Sequence, residues 1–196
     1  QSHYFISCYS LYNVKLCKAT FALSLPGVVT TKVGFTGGTT KNATYRNIGD
    51  HTESVALEYD PDKISYKDLL KKFWSFHNPT VSNGNQYMSA IFYHNTQQKM
   101  EAEQSRDDHQ KSIMQPIVTK IKKAEIFYDG EDYHQKYILR RHPEIINSLN
   151  LSNEELIKSH VAARLNGYLG GYGTLADFEQ VTVHVHDSIM SSKFAH

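Results

Sequence analysis

At 196 residues, with 40% of them hydrophobic and a net charge of +1, the chain is sized for one domain with a sizeable core. The near-neutral balance gives no reason to expect nucleic acid, a membrane surface or an acidic partner, and no apolar run approaches the ~18 residues that would span a bilayer. Two cysteines, Cys8 and Cys17, make no disulfide framework and point to a reducing, cytoplasmic setting, with a mitochondrial or nuclear one left open. The chain opens on Gln1 rather than Met, as a fragment would, and HYFISCYSLYNV lacks a basic leader and a cleavage site.

In chain order, residues 1–24 read as an atypical or incomplete N-terminal segment. VVTTKV (Val28 to Val33) is a β-branched strand, and Glu53 to Tyr59 alternates as a second. Asp60-Pro61-Asp62 makes a turn. Ser65 then caps a helix carrying Leu69, Leu70, Phe73, Trp74 and His77 at helical spacing, ended by Pro79. Ser89 to His94 reads as a buried strand, Thr96 to Ile113 as a solvated helix and Ile117 to Ile121 as a further strand. Tyr133 to Arg141 reads as helical, stopped by Pro143. Ser152 with Glu155 is a capping signature for a helix to Leu165, broken by Gly167, Gly170, Gly171 and Gly173. Alternating strands and helices without long parallel runs predict an α+β, two-layer sandwich with helices on one face of a mixed sheet. Residues 25–145 form its body and 146–196 a helical extension and tail.

The chemistry-bearing residues gather between Val33 and Val55. VGFTGG permits a tight turn or a close backbone approach. Tyr45, His51 and Glu53 follow within fifteen residues of it, Glu53 at the head of the alternating ESVALEY. A glycine turn leading polar donors onto a strand end is a common way to build a small-molecule pocket. Taken one at a time, the bland readings stand beside this one: a solvated acid, a surface histidine, one tyrosine among 13. Eleven histidines come with no C-x-x-C or H-E-x-x-H, so no metal is implied.

VGFTGG, NATY (Asn42 to Tyr45) and GDHTESV (Gly49 to Val55) resemble, in order and spacing, segments of the A-class methionine sulfoxide reductases. PDKISYKDLLKKFWSFHNPT (Pro61 to Thr80), QYMSAIFYH (Gln86 to His94), EDYHQKY (Glu131 to Tyr137) and LNGYLGGYG (Leu165 to Gly173) are similar to later pieces, the last to animal and especially insect members. The resemblance covers roughly Leu25 to Gly173. It implies a ferredoxin-like fold and a peptide-methionine (S)-S-oxide reductase, a monomer needing no cofactor. Its substrate is methionine sulfoxide, free or in oxidised proteins and peptides, and thioredoxin or another thiol reductant regenerates it. It implies Glu53 as catalytic acid, Tyr45 and Tyr87 as donors to the sulfoxide oxygen, His51 and Phe35 as substrate-binding residues, and Asp132 to Gln135 as support for the pocket wall. Ser82 stands where many members carry an aspartate.

The family's nucleophile belongs to a G-C-F-W-G motif just before LPGV (Leu25 to Val28), and that motif is absent. Ungapped counting puts Val14 at its position. Three readings stay open. Cys17, three residues late, acts from a displaced position, about one helical turn away. Cys8 acts, with six extra residues looped out. Or KATFA (Lys18 to Ala22) is the strand that precedes the motif, and motif and first helix are missing, leaving a relative that keeps the pocket without the reaction. No thiol follows Gly173 to resolve an oxidised cysteine.

Overall fold

The computed structural model describes residues 2–7, 25–75 and 77–172. Six strands, β1 (Ser2–Ser7), β2 (Val28–Thr36), β3 (Thr52–Tyr59), β4 (Ala90–Tyr93), β5 (Lys120–Lys123) and β6 (Tyr128–Asp129), form one sheet in the order β5-β4-β1-β3-β2-β6. Every pairing is antiparallel except β4 with β5. The inner four, β4-β1-β3-β2, follow the ferredoxin-like order that the resemblance implies.

Alternation along β3 sends Val55, Leu57 and Tyr59 to one face. There Leu57 and Tyr59 meet Leu69, Leu70, Phe73 and Trp74 of helix α1 (Tyr66–Ser75), with Ile91 of β4 and Ala102 of helix α2 (Thr96–Gln110). Leu70 and Ile91 are completely buried, and each large apolar side chain so removed from water contributes about 1.5–3 kcal/mol. Ser65 starts α1 as expected: its hydroxyl accepts from Asp68 N–H at 3.2 Å and satisfies one of the helix's orphan donors.

A second, smaller core joins helices α3 (Pro143–Leu149), α4 (Asn153–Lys158) and α5 (His160–Leu169) through Leu139, Leu149, Leu156, Ala162 and Leu165. Thr30 points away from the Leu57 face and its hydroxyl donates to Ile157 O at 3.4 Å. The C-terminal helices therefore cover the other side of β2, and the sheet carries helices on both faces rather than one.

The N-terminal segment departs most from expectation. Residues 2–7 are not an appendage: β1 lies inside the sheet, Ile6 opposite both Val55 and Ile91. Pro143 does not end a helix over Tyr133 to Arg141. That stretch is two 3₁₀ turns separated by Lys136 at φ +51°, and Pro143 opens α3, where its missing N–H costs nothing. The capping box at Ser152 and Glu155 forms, but the helix stops at Lys158. Ser159 caps a second helix by accepting from Ala162 N–H. Gly167 sits inside that helix, which ends at Gly170. Strand β5 starts at Lys120, three residues later than its apolar pattern suggests, because Val118 N–H is spent on Pro79 O at 2.9 Å.

Candidate functional site

β2 and β3 bring the motif residues together at one end of the sheet. Phe35 and Glu53 are direct cross-strand partners, so their side chains share a face. Phe35 is almost wholly buried and Glu53 is 5% exposed. A carboxylate this deep needs a donor. Gln86 supplies one: its Nε2 donates to Glu53 Oε1 at 2.7 Å. Gln86 belongs to the 3₁₀ turn Asn85–Tyr87, so the same turn that steadies Glu53 carries Tyr87. Tyr87 is 36% exposed. Gln86 is the site residue that sequence reasoning missed; it lies inside QYMSAIFYH but advertises no chemistry of its own.

Tyr45 lies on the β2–β3 loop. Its N–H donates to Glu131 Oε1 at 2.9 Å, and its ring stands 4.9 Å from that of His134. His134 is buried and lies 3.5 Å from Glu131 Oε2. His134 of the DYHQ segment thus packs against Tyr45. The hydrogen bonds tie Glu53 to the Tyr87 turn, and Tyr45 to the Glu131–His134 side of β2.

The loop is held by its own polar atoms. Gly37 has φ +81°, and a Cβ there would come within 2.4 Å of the Phe92 ring. A Cβ on Gly38 would meet Asp50 Oδ1 at 2.5 Å. The di-glycine is thus demanded by close approach as well as by turn geometry. Asp50 accepts from the backbone N–H groups and hydroxyls of Thr39 and Thr40. These bonds, the Thr39 N–H first, hold its carboxyl well below the usual carboxylate range.

His51 is 1% exposed. Gly38 N–H donates to its Nδ1 at 3.1 Å and its Nε2 lies 2.7 Å from Thr40 O; the ring packs edge-on against Tyr128. Both of its ring nitrogens thus have partners in the loop's backbone, and His51 helps to hold the turn. Phe35 stands beside Glu53 across the strands. Cys17 and Cys8 lie outside the described residues.

Among the described residues no group of three His, Cys, Asp or Glu is placed to hold a metal ion, and no helix is long and apolar enough to cross a membrane. A groove between α1 and α2, lined by Trp74, Met100, Ser105 and His109, lies on the helical side and includes none of Tyr45, Glu53 or Tyr87.

A ferredoxin-like sheet thus carries a recessed carboxylate at a strand head, opposite Phe35 and bonded by Gln86, on an α+β sandwich. Residues 16–165 match the family model "Peptide methionine sulfoxide reductase", and residues 150–184 match "Selenoprotein methionine sulfoxide reductase A, helical domain". The chain belongs to the peptide methionine sulfoxide reductase family. It is 44% identical over 156 residues to the peptide methionine sulfoxide reductase of Drosophila melanogaster, covering 78% of this chain and 63% of the fly protein. It is 44% identical over 152 residues to peptide methionine sulfoxide reductase A5 of Arabidopsis thaliana, covering 72% of this chain and 59% of that one. The chain thus spans about three fifths of the length of these curated relatives. Among solved structures, methionine sulfoxide reductase A of Corynebacterium diphtheriae superposes with a TM-score of 0.59 at 30% identity, over 72% of this chain and 74% of its own.

Proposed function

We propose that this chain is a thiol-dependent peptide-methionine (S)-S-oxide reductase. It would serve protein repair under oxidative stress, as a monomer in the cytoplasm. The observation that carries this reading is the buried Glu53, steadied by Gln86 and beside Phe35 across the strands, in a chain of this family. A cysteine thiolate attacks the sulfoxide sulfur while a carboxylic acid and tyrosine hydroxyls protonate and hold the oxygen. The oxygen passes to the cysteine as a sulfenic acid, and methionine leaves. A second thiol then forms a disulfide with loss of water, and thioredoxin or another dithiol returns the enzyme to its reduced state. Glu53 is the proposed acid, with Tyr45 and Tyr87 the donors to the oxygen.

The thiol must be Cys8 or Cys17, the two cysteines of the chain. The register of β1 supports Cys8. Ile6 stands opposite Val55, two residues from Glu53 in β3, and Cys8 follows β1 directly in the sequence. A different observation favours the second reading, an inactive relative that keeps the pocket. The family match begins at residue 16 and so includes KATFA, after which no cysteine follows.

One experiment separates these. The purified chain is assayed with dithiothreitol on the S epimer of N-acetylmethionine sulfoxide, beside Cys8→Ser and Cys17→Ser. Turnover abolished only by Cys8→Ser supports the first reading with Cys8 as nucleophile; turnover abolished only by Cys17→Ser reassigns the role. No turnover by any form establishes the inactive relative.

A further inference from the structure

We propose that Met114 is a reversible oxidation site of this chain. Its thioether is oxidised by peroxide, and its sulfoxide is restored in trans by a reductase of this family, a second copy of this chain in the simplest case. The second half rests on the proposed function. The loop between α2 and β5 presents this residue. Gln110, the last residue of α2, clamps it from within: its Nε2 donates to Ile113 O and Gln115 O, both at 3.1 Å, and its Oε1 accepts from Ile117 N–H at 2.8 Å. From outside, the Thr80 hydroxyl donates to Gln115 Oε1 at 3.0 Å. Both shoulders are pinned, and Met114 stands at the apex with its side chain fully exposed.

An apolar thioether left wholly in water adds nothing to the core, and oxidation there disrupts no packing. The other described methionines are more sheltered. Met88 is half-buried and Met100, at 53% exposure, lines the groove between α1 and α2. The chemistry balances. A peroxide O–O bond breaks, one oxygen joins the sulfur and the other leaves as water. In reversal two thiols become a disulfide, and the sulfoxide oxygen leaves as water. Restoration in trans takes two molecules.

The chain is treated with hydrogen peroxide, digested, and the 16 Da gain followed at Met88, Met100 and Met114 by mass spectrometry. Met114 is expected to oxidise several-fold faster than the other two. After peroxide removal and addition of dithiothreitol, about half of the Met114 sulfoxide is expected to return. Peroxide makes both epimers, and each class of reductase acts on one. The rate should rise with protein concentration, and Met114→Leu should leave turnover of N-acetylmethionine sulfoxide unchanged. Oxidation of Met114 no faster than of Met88 and Met100 overturns the proposal. So does failure to restore Met114 in a chain that reduces the small sulfoxide. If the chain does not reduce the small sulfoxide, the proposed function falls, and an active reductase of the family is added. Restoration of half the sulfoxide then upholds the site, and no restoration overturns it.

Discussion

Glu53 and Gln86 show how one side chain is made useful by another. A carboxyl at 5% exposure is held in one rotamer by the 2.7 Å bond from Gln86 Nε2, and that rotamer decides where its proton goes. The two residues are separable by kinetics. Removing the acid, in Glu53→Gln, is expected to lower kcat on a methyl sulfoxide by about 10²–10⁴ with little change in KM, the range for loss of a general acid. Gln86→Ala keeps the acid and loosens it; a loss of about tenfold in kcat is the expected result. A Glu53→Gln variant as active as the parent would remove Glu53 from the mechanism. The sequence pointed to Glu53 because it stands in a dense cluster of motif residues. Gln86 was invisible for a plain reason: an amide shows no preference for a site until its partner is in view. Nor does spacing tell that both ring nitrogens of His51 meet the backbone of the glycine turn.

At the scale of elements, the edge of β2 is completed by side chains. Strand β6 pairs only through Asp129 and Tyr128, opposite Gly34 and Phe35. Beyond it the ladder continues through Gln135, whose Oε1 accepts from Val33 N–H at 2.9 Å and whose Nε2 donates to Val33 O at 2.7 Å. Lys136 Nζ donates to Thr31 O one step further on. A two-residue strand thus leaves no open edge. The cost lies in Lys136, whose ammonium is buried, and burial pushes its pKa down to about 7 from an ordinary 10.5. Between those values the unfolded chain binds more protons than the folded one, so stability rises with pH across that window. Below about 7 both states are protonated and the penalty is constant. Urea midpoints should therefore climb from pH 7 to 10, by an amount on the order of a few kcal/mol at most. Lys136→Met should flatten the climb and raise the midpoint at pH 7. A parent midpoint that falls across this window would sink the argument. None of this is legible in EDYHQKY, where Lys136 reads as a solvated charge. The strands β2 and β3 and helix α1 were legible because each carries its own period and caps. Pro143 and Ser159 were not, because both residue types serve equally to stop one helix and to start another.

For the whole molecule, the central question is which segment fills the slot between β3 and β4. Ser2–Ser7 fills it here, pairing with both neighbours. A sheet cannot lose an inner strand and keep its order: β3 and β4 would each expose a row of unpaired N–H and C=O groups, and the two halves would part. Deleting residues 1–7 should therefore abolish cooperative thermal unfolding and expose the apolar face under α1, seen as strong binding of a hydrophobic dye. KATFA is the one competitor, since it resembles the family's strand and lies within the family match from residue 16. If the shortened chain keeps its near-ultraviolet circular dichroism and its melting temperature, KATFA occupies the slot instead. The case for Cys8 then falls with β1, because it rests on Ile6 standing opposite Val55, two residues from Glu53. If the deletion unfolds the chain, Phe21→Asp in the full-length protein should be tolerated while Ile6→Asp is not, because Ile6 stands opposite both Val55 and Ile91 in the ladder. That pair of substitutions decides the strand, and with it which thiol the sheet delivers to the acid.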